Sequence, residues 1–109
     1  MSDNKRNLIA IGYLYNLWAG ELREYGGEVY HGIYCDSAYF LVKDKHGRVV
    51  KKLNCAMSEG EIHNKTVWLQ ESNKRKAADI LIEHEEEQIA KLRFQIENHE
   101  KLIASLKNI

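Results

Sequence analysis

Residues 8–27, LIAIGYLYNLWAGELREYGG, decide whether the chain opens with a helix or with a sheet. Large apolar residues fall at Leu8, Ile11, Tyr15, Trp18, Leu22 and Tyr25, which is a helical spacing, and Ile9, Leu14 and Leu17 widen the same face. Gly26 and Gly27 offer a natural stop, because glycine readily takes the left-handed conformation that ends a helix. The spacing therefore predicts a largely buried helix over 8–25. The competing reading is a strand over 8–15, favoured by the β-branched and aromatic content there.

Outward from this segment, residues 28–35 and 38–43 are rich in Val, Ile, Tyr and Phe, as suits a half-buried pleated surface. Asp44-Lys45-His46-Gly47 reads as a tight turn: the Asp side chain opens it and glycine accepts a positive φ at its end. Residues 48–53 return as the partner strand. After a loop around Ser58-Glu59-Gly60, residues 65–69 with Val67 and Trp68 read as a further short strand. An antiparallel meander of three to four strands follows, which needs a helix to cover its apolar face.

Ser72 reads as the N-cap of one helix running from Asn73 to about Lys107. At 1.5 Å per residue such a helix is about 50 Å long, more than a domain this small can cover. Ile82, Ile89, Ile96 and Ile103 recur every seven residues, with Leu92 and Leu106 at the matching half-steps, which is the seam of a coiled coil. With the isoleucines at position a, position d holds Ala78, Glu85, Leu92, His99 and Leu106. In a parallel dimer Glu85 and His99 would each face their own copies. The parallel g–e′ pairs, Leu81–Glu86, Gln88–Arg93, Gln95–Glu100 and Leu102–Lys107, join no opposite charges. Orientation stays open at this point, as does a helix folded back into the core of a monomer. The expected architecture is α+β, with an N-terminal helix, a small antiparallel meander and a long C-terminal helix. Residues 1–70 form the head and 71–109 the oligomerisation segment, its seam carried by Ile82, Ile89, Leu92, Ile96, Ile103 and Leu106.

The 109 residues suffice for one modest domain. Sixteen basic and sixteen acidic residues cancel, so no global field draws the protein to nucleic acid or membrane, and any such binding needs a local patch. The complete lack of proline argues against a proline-rich recognition linker. No stretch is long and apolar enough to span a bilayer, and two cysteines without a CxxC pair suit reduced thiols in the cytoplasm.

For chemistry the sequence offers little. His31, Cys35, Cys55 and His63 carry metal-ligand side chains, but lack the close cysteine knuckle that pre-forms half of a zinc tetrahedron. A Cys–His nucleophile pair exists only on paper, and no P-loop, GxGxxG, GxSxG or HExxH pattern occurs. Neither catalytic residues, nor a metal, nor a cofactor is expected. Lys43, Lys45, Arg48, Lys51 and Lys52 crowd the end of the hairpin with Tyr39 nearby, a mixture that suits phosphate contact and base stacking. Lysines also protect an edge strand from pairing with a neighbour. Phe94 lies at position f, away from the seam, where it is either an ordinary surface aromatic or an anchor for a partner.

The run Thr66-Val67-Trp68-Leu69-Gln70, followed by a heptad-bearing helix of mixed charge to the last residue, resembles small accessory proteins of bacteriophages and prophages. The resemblance covers about the last forty residues. It implies a protein that works by occupying a host protein's functional surface, as anti-CRISPR inhibitors do. The expected function is thus a dimeric, non-enzymatic binding protein directed at a host defence or nuclease complex. Nucleic-acid binding through the hairpin over 43–52 is the alternative.

Overall fold

The computed structural model describes residues 8–33 and 37–109. Five strands, β1 (Leu8–Trp18), β2 (Glu21–His31), β3 (Ala38–Lys43), β4 (Val49–Cys55) and β5 (Thr66–Leu69), precede a single helix, α1 (Lys74–Lys107). The strands form one antiparallel sheet in the order β4-β3-β2-β1-β5. The sheet therefore has five strands, not three to four.

The helix expected over 8–25 is instead a β-hairpin. Ala19 and Gly20 connect its strands with φ of 53° and 79°, so both turn residues take the positive φ that matches the twist of a two-residue hairpin. Leu17 then faces Leu22, and Leu14 faces Tyr25. The helical spacing misled because the middle of β1 is buried on both faces: the neighbours Leu14 and Tyr15 point to opposite sides and both are fully buried. A strand covered on both faces has no apolar–polar alternation to reveal it. Ile11 and Trp18, on the supposed helical stripe, are about two-thirds exposed, at 66% and 64%.

Gly26 and Gly27 do not end an element. They lie inside β2 opposite Tyr13 and Gly12. A Cβ on Gly27 would overlap the Leu41 carbonyl oxygen, and one on Gly12 would overlap that of Leu69. Gly12 and Gly27 let neighbouring backbones crowd together as the sheet coils.

That coiling closes the inner face on itself. Leu14, Val29, Ala38, Phe40, Val42, Cys55 and Trp68 form one core, although Cys55 and Trp68 come from the two opposite edge strands. Trp68 fastens the closure: its Nε1–H donates to the Ala56 carbonyl at 2.7 Å. A second core lies on the outer face, where Tyr15, Val67 and Leu69 meet Ala77 and Leu81 of α1.

The turn at 44–47 forms as expected, with the Gly47 amide donating to the Asp44 carbonyl (3.0 Å) and the His46 amide to the Asp44 carboxylate (2.8 Å). The N-cap lies one residue later than expected. The Asn73 side chain accepts from the Lys76 amide at 3.0 Å, while the Ser72 hydroxyl donates to Glu24.

Candidate functional site

Two surfaces stand out: the free length of α1, and a basic cleft where the coiled sheet opens. The first is set by how α1 is attached. Tyr15 is fully buried beneath the helix start, and its hydroxyl donates to Glu24 Oε2 at 2.5 Å while accepting from the Asn73 amide at 2.7 Å. Ser72 donates to the same carboxylate oxygen at 2.8 Å. The Tyr15 and Ser72 hydrogen bonds, with Lys74 nearby, hold Glu24 below the usual carboxylate range. Burial, reinforced by the Glu24 charge, pushes the Tyr15 phenol up. This clasp ties residues 15, 24, 72 and 73 into one joint at the helix base.

Beyond the joint α1 leaves the head. Only Ala77 and Leu81 are buried along its 34 residues, and the molecule extends 70 Å in its longest dimension. Every residue expected in the seam is exposed: Ile82, Ile89, Leu92, Ile96, Ile103 and Leu106 range from 48% to 67%. The helix does not fold back over the sheet, so the stripe runs uncovered to the end of the chain. Phe94 is exposed on another side of the same stalk.

The basic hairpin residues are not gathered on one face. Lys43 pairs with Glu28 at 3.0 Å and Arg48 with Asp44 at 3.0 Å, so both cations are partly neutralised within the sheet. Lys45 is exposed at the turn. Lys51 and Lys52, as strand neighbours, point to opposite faces. Lys52 lies 4.3 Å from the ring centre of Tyr39, which stacks on Tyr30 at 5.7 Å. Lys51 lies 5.1 Å from that of Tyr25 on the inner face.

What the fold assembles instead is a cleft of about 640 Å³ at the open end of the coiled sheet. Arg23 (β2), Lys51 (β4) and Lys65 (the turn before β5) line it together with Trp18, Tyr25 and Asn64. Burial alone would raise the Tyr25 phenol, yet hydrogen bonding and charge from Arg23 and Lys51 bring it below its ordinary value. The hydrogen bonds are the larger cause and the charges the smaller, and Arg23 also lies 3.8 Å from Glu21. Of the lining side chains, only Lys51 is among the contact residues expected from sequence; Leu17, Trp18 and Tyr25 were expected on a buried helix face. Arg23 and Lys65 come from segments far apart in sequence, and only the β1–β2 and β1–β5 registers bring them to one place.

The possible ligand set His31, Cys35, Cys55 and His63 falls partly outside the described residues, at Cys35. Among those described, no group of three or more His, Cys, Asp or Glu side chains could hold a metal ion. Cys55 is buried, which pushes its thiol up to about 11, the opposite of what a nucleophile needs. No described helix is long and apolar enough to cross a membrane.

No protein-family model, curated protein or solved structure matches this chain. Function has to be argued from the two surfaces themselves.

Proposed function

We propose that this is a non-enzymatic binding protein that dimerises through α1 and uses its heads to occupy a macromolecular partner. The observation that carries the reading is the uncovered stripe. Five large aliphatic residues from Ile89 to Leu106 hold coiled-coil spacing on the part of the helix beyond its contacts with the head, and all five are exposed. A contiguous apolar surface of this kind marks an association site. The most concrete version, resting on the resemblance to phage accessory proteins, is an inhibitor of a host defence nuclease.

Sedimentation tests the first half: the protein should run as a dimer at micromolar concentration, and Ile89→Asp should run as a folded monomer. A wild-type protein that stays monomeric at the highest accessible concentration removes the reading. Titration of the intact protein into purified defence-nuclease reactions tests the second half, since an inhibitor suppresses cleavage at near-stoichiometric ratios.

A second reading is supported by the cation pair that depresses Tyr25. A cleft with Arg23, Lys51 and Lys65 beside Trp18 and Tyr25 suits an anionic ligand with stackable rings, such as single-stranded nucleic acid. It requires salt-sensitive quenching of tryptophan fluorescence by an oligonucleotide, lost in Lys51→Glu and Lys65→Glu. Unchanged binding by those variants removes it.

A further inference from the structure

We infer that α1 pairs with α1 of a second copy in antiparallel orientation, in a single register that places the two heads at opposite ends. The inference rests on the dimer reading above and specifies its geometry.

In an antiparallel pair, each a position packs against d of the other helix, and e positions flank e positions. The e positions of α1 are Asp79, Glu86, Arg93, Glu100 and Lys107. One alignment sets Arg93 beside Glu100 of the second copy and Glu86 beside Lys107 of the second copy, and twofold symmetry repeats both contacts. The same alignment seats Ile89 on Leu106, Leu92 on Ile103 and Ile96 on His99 of the second copy. Every layer then contains an isoleucine. Of the two polar d residues that spoil the parallel coil, His99 packs on Ile96 and Glu85 falls beyond the end of the second helix and stays in water.

Neighbouring registers fail for separate reasons. Shortening the overlap by a heptad places Arg93 beside Lys107 and Glu100 beside its own copy. Lengthening it by a heptad places Arg93 beside its own copy and Glu86 beside Glu100. It also carries the end of the second helix to the level of Asp79, between Ala77 and Leu81, where α1 is packed against the head. Asp79 is in addition already engaged by Arg75 at 2.7 Å. The charge-matched alignment ends at Glu86, just beyond the last contact with the sheet. The helical overlap, Gln88 to Lys107, is about three heptads, the length at which a coiled-coil seam begins to be specific. Two independent constraints, flanking charge and clearance of the head, thus select the same register.

Spin labels measure it directly. In a background with Cys35→Ser and Cys55→Ala, a label at Glu83 should lie about 45 Å from its copy along the coil, and one at Asn98, beside the twofold axis, within about 20 Å. A parallel coil keeps both distances under about 20 Å, and that result overturns the inference while leaving the dimer intact. A monomer overturns both. Charge exchange in the native-cysteine protein gives a second measurement. Arg93→Glu and Glu100→Arg should each weaken the dimer about tenfold, and the double exchange should restore it. In a parallel coil these residues flank Gln88 and Gln95, so failure of the double exchange to restore affinity also overturns the antiparallel register.

Discussion

Tyr15→Phe isolates the joint at the helix base, because it removes one oxygen and keeps the buried ring. The hydroxyl donates to a carboxylate, a hydrogen bond worth about 1.5–3 kcal/mol net, and accepts from the Asn73 amide, which would otherwise lose its partner at a cost of about 1–3 kcal/mol. The two terms share one atom and overlap, so the expected loss at pH 7 is about 2–3 kcal/mol, or roughly 10–15 °C in Tm for a domain of this size. Urea unfolding followed by tryptophan fluorescence, at one fixed protein concentration, reads it. The pH dependence adds a sign. Glu24 titrates below its ordinary value when folded, so its contribution is fully present above about pH 4.5 and is lost as pH falls through the folded value. Wild type should therefore lose stability on acidification more steeply than Tyr15→Phe, and the gap between them should narrow toward pH 3. A gap below about 0.5 kcal/mol at pH 7, or one that widens in acid, would refute the clasp as the main tie of α1 to the sheet.

Gly27→Ala drives a Cβ into the Leu41 carbonyl and the Phe40 ring, and should cost more than about 3 kcal/mol or prevent folding. Gly20→Ala meets open space at a positive φ and should cost only about 1 kcal/mol, so equal losses in thermal denaturation would contradict the account of the sheet's coiling. Trp68→Phe strips the donor from the Ala56 carbonyl and should lower stability by about 1–3 kcal/mol; an unchanged urea midpoint would show that the indole does not fasten the two edges. Cys55 should resist alkylation at pH 8, where about one thiol in a thousand is ionised, and react once urea exposes it. Peptide-level mass analysis checks this, and native labelling at the unfolded rate would contradict its burial.

The parts of the fold governed by local chemistry were legible in the sequence. The Asp44–Gly47 turn follows from an Asp side chain and a glycine at fixed offsets, and the extent of α1, to within one residue at its N-cap, from a capping side chain ahead of a long heptad-bearing run. The N-terminal hairpin was not legible, because Leu14 and Tyr15 serve different cores and leave an apolar run that fits a helix equally well. Nor was the function of Gly27, which depends on how closely Leu41 approaches from the next strand. The exposed stripe of Ile82, Ile89, Leu92, Ile96, Ile103 and Leu106 was readable because helical periodicity is a one-dimensional property. The cleft was not, since Arg23 and Lys65 become neighbours only through strand pairing. The Tyr15 clasp is hidden for the same reason: its partners are 9 and 58 residues away.

α1 is also a lever with a very short base. Two buried residues and the Tyr15 clasp hold one end, and about 40 Å of helix extends beyond them. A tilt of only 10° at the joint swings the free end by roughly 7 Å, more than a full helical turn. Aim, rather than affinity alone, therefore depends on a phenol in the first strand. A substitution there, outside the stripe itself, would leave the stripe chemically intact and point it somewhere else.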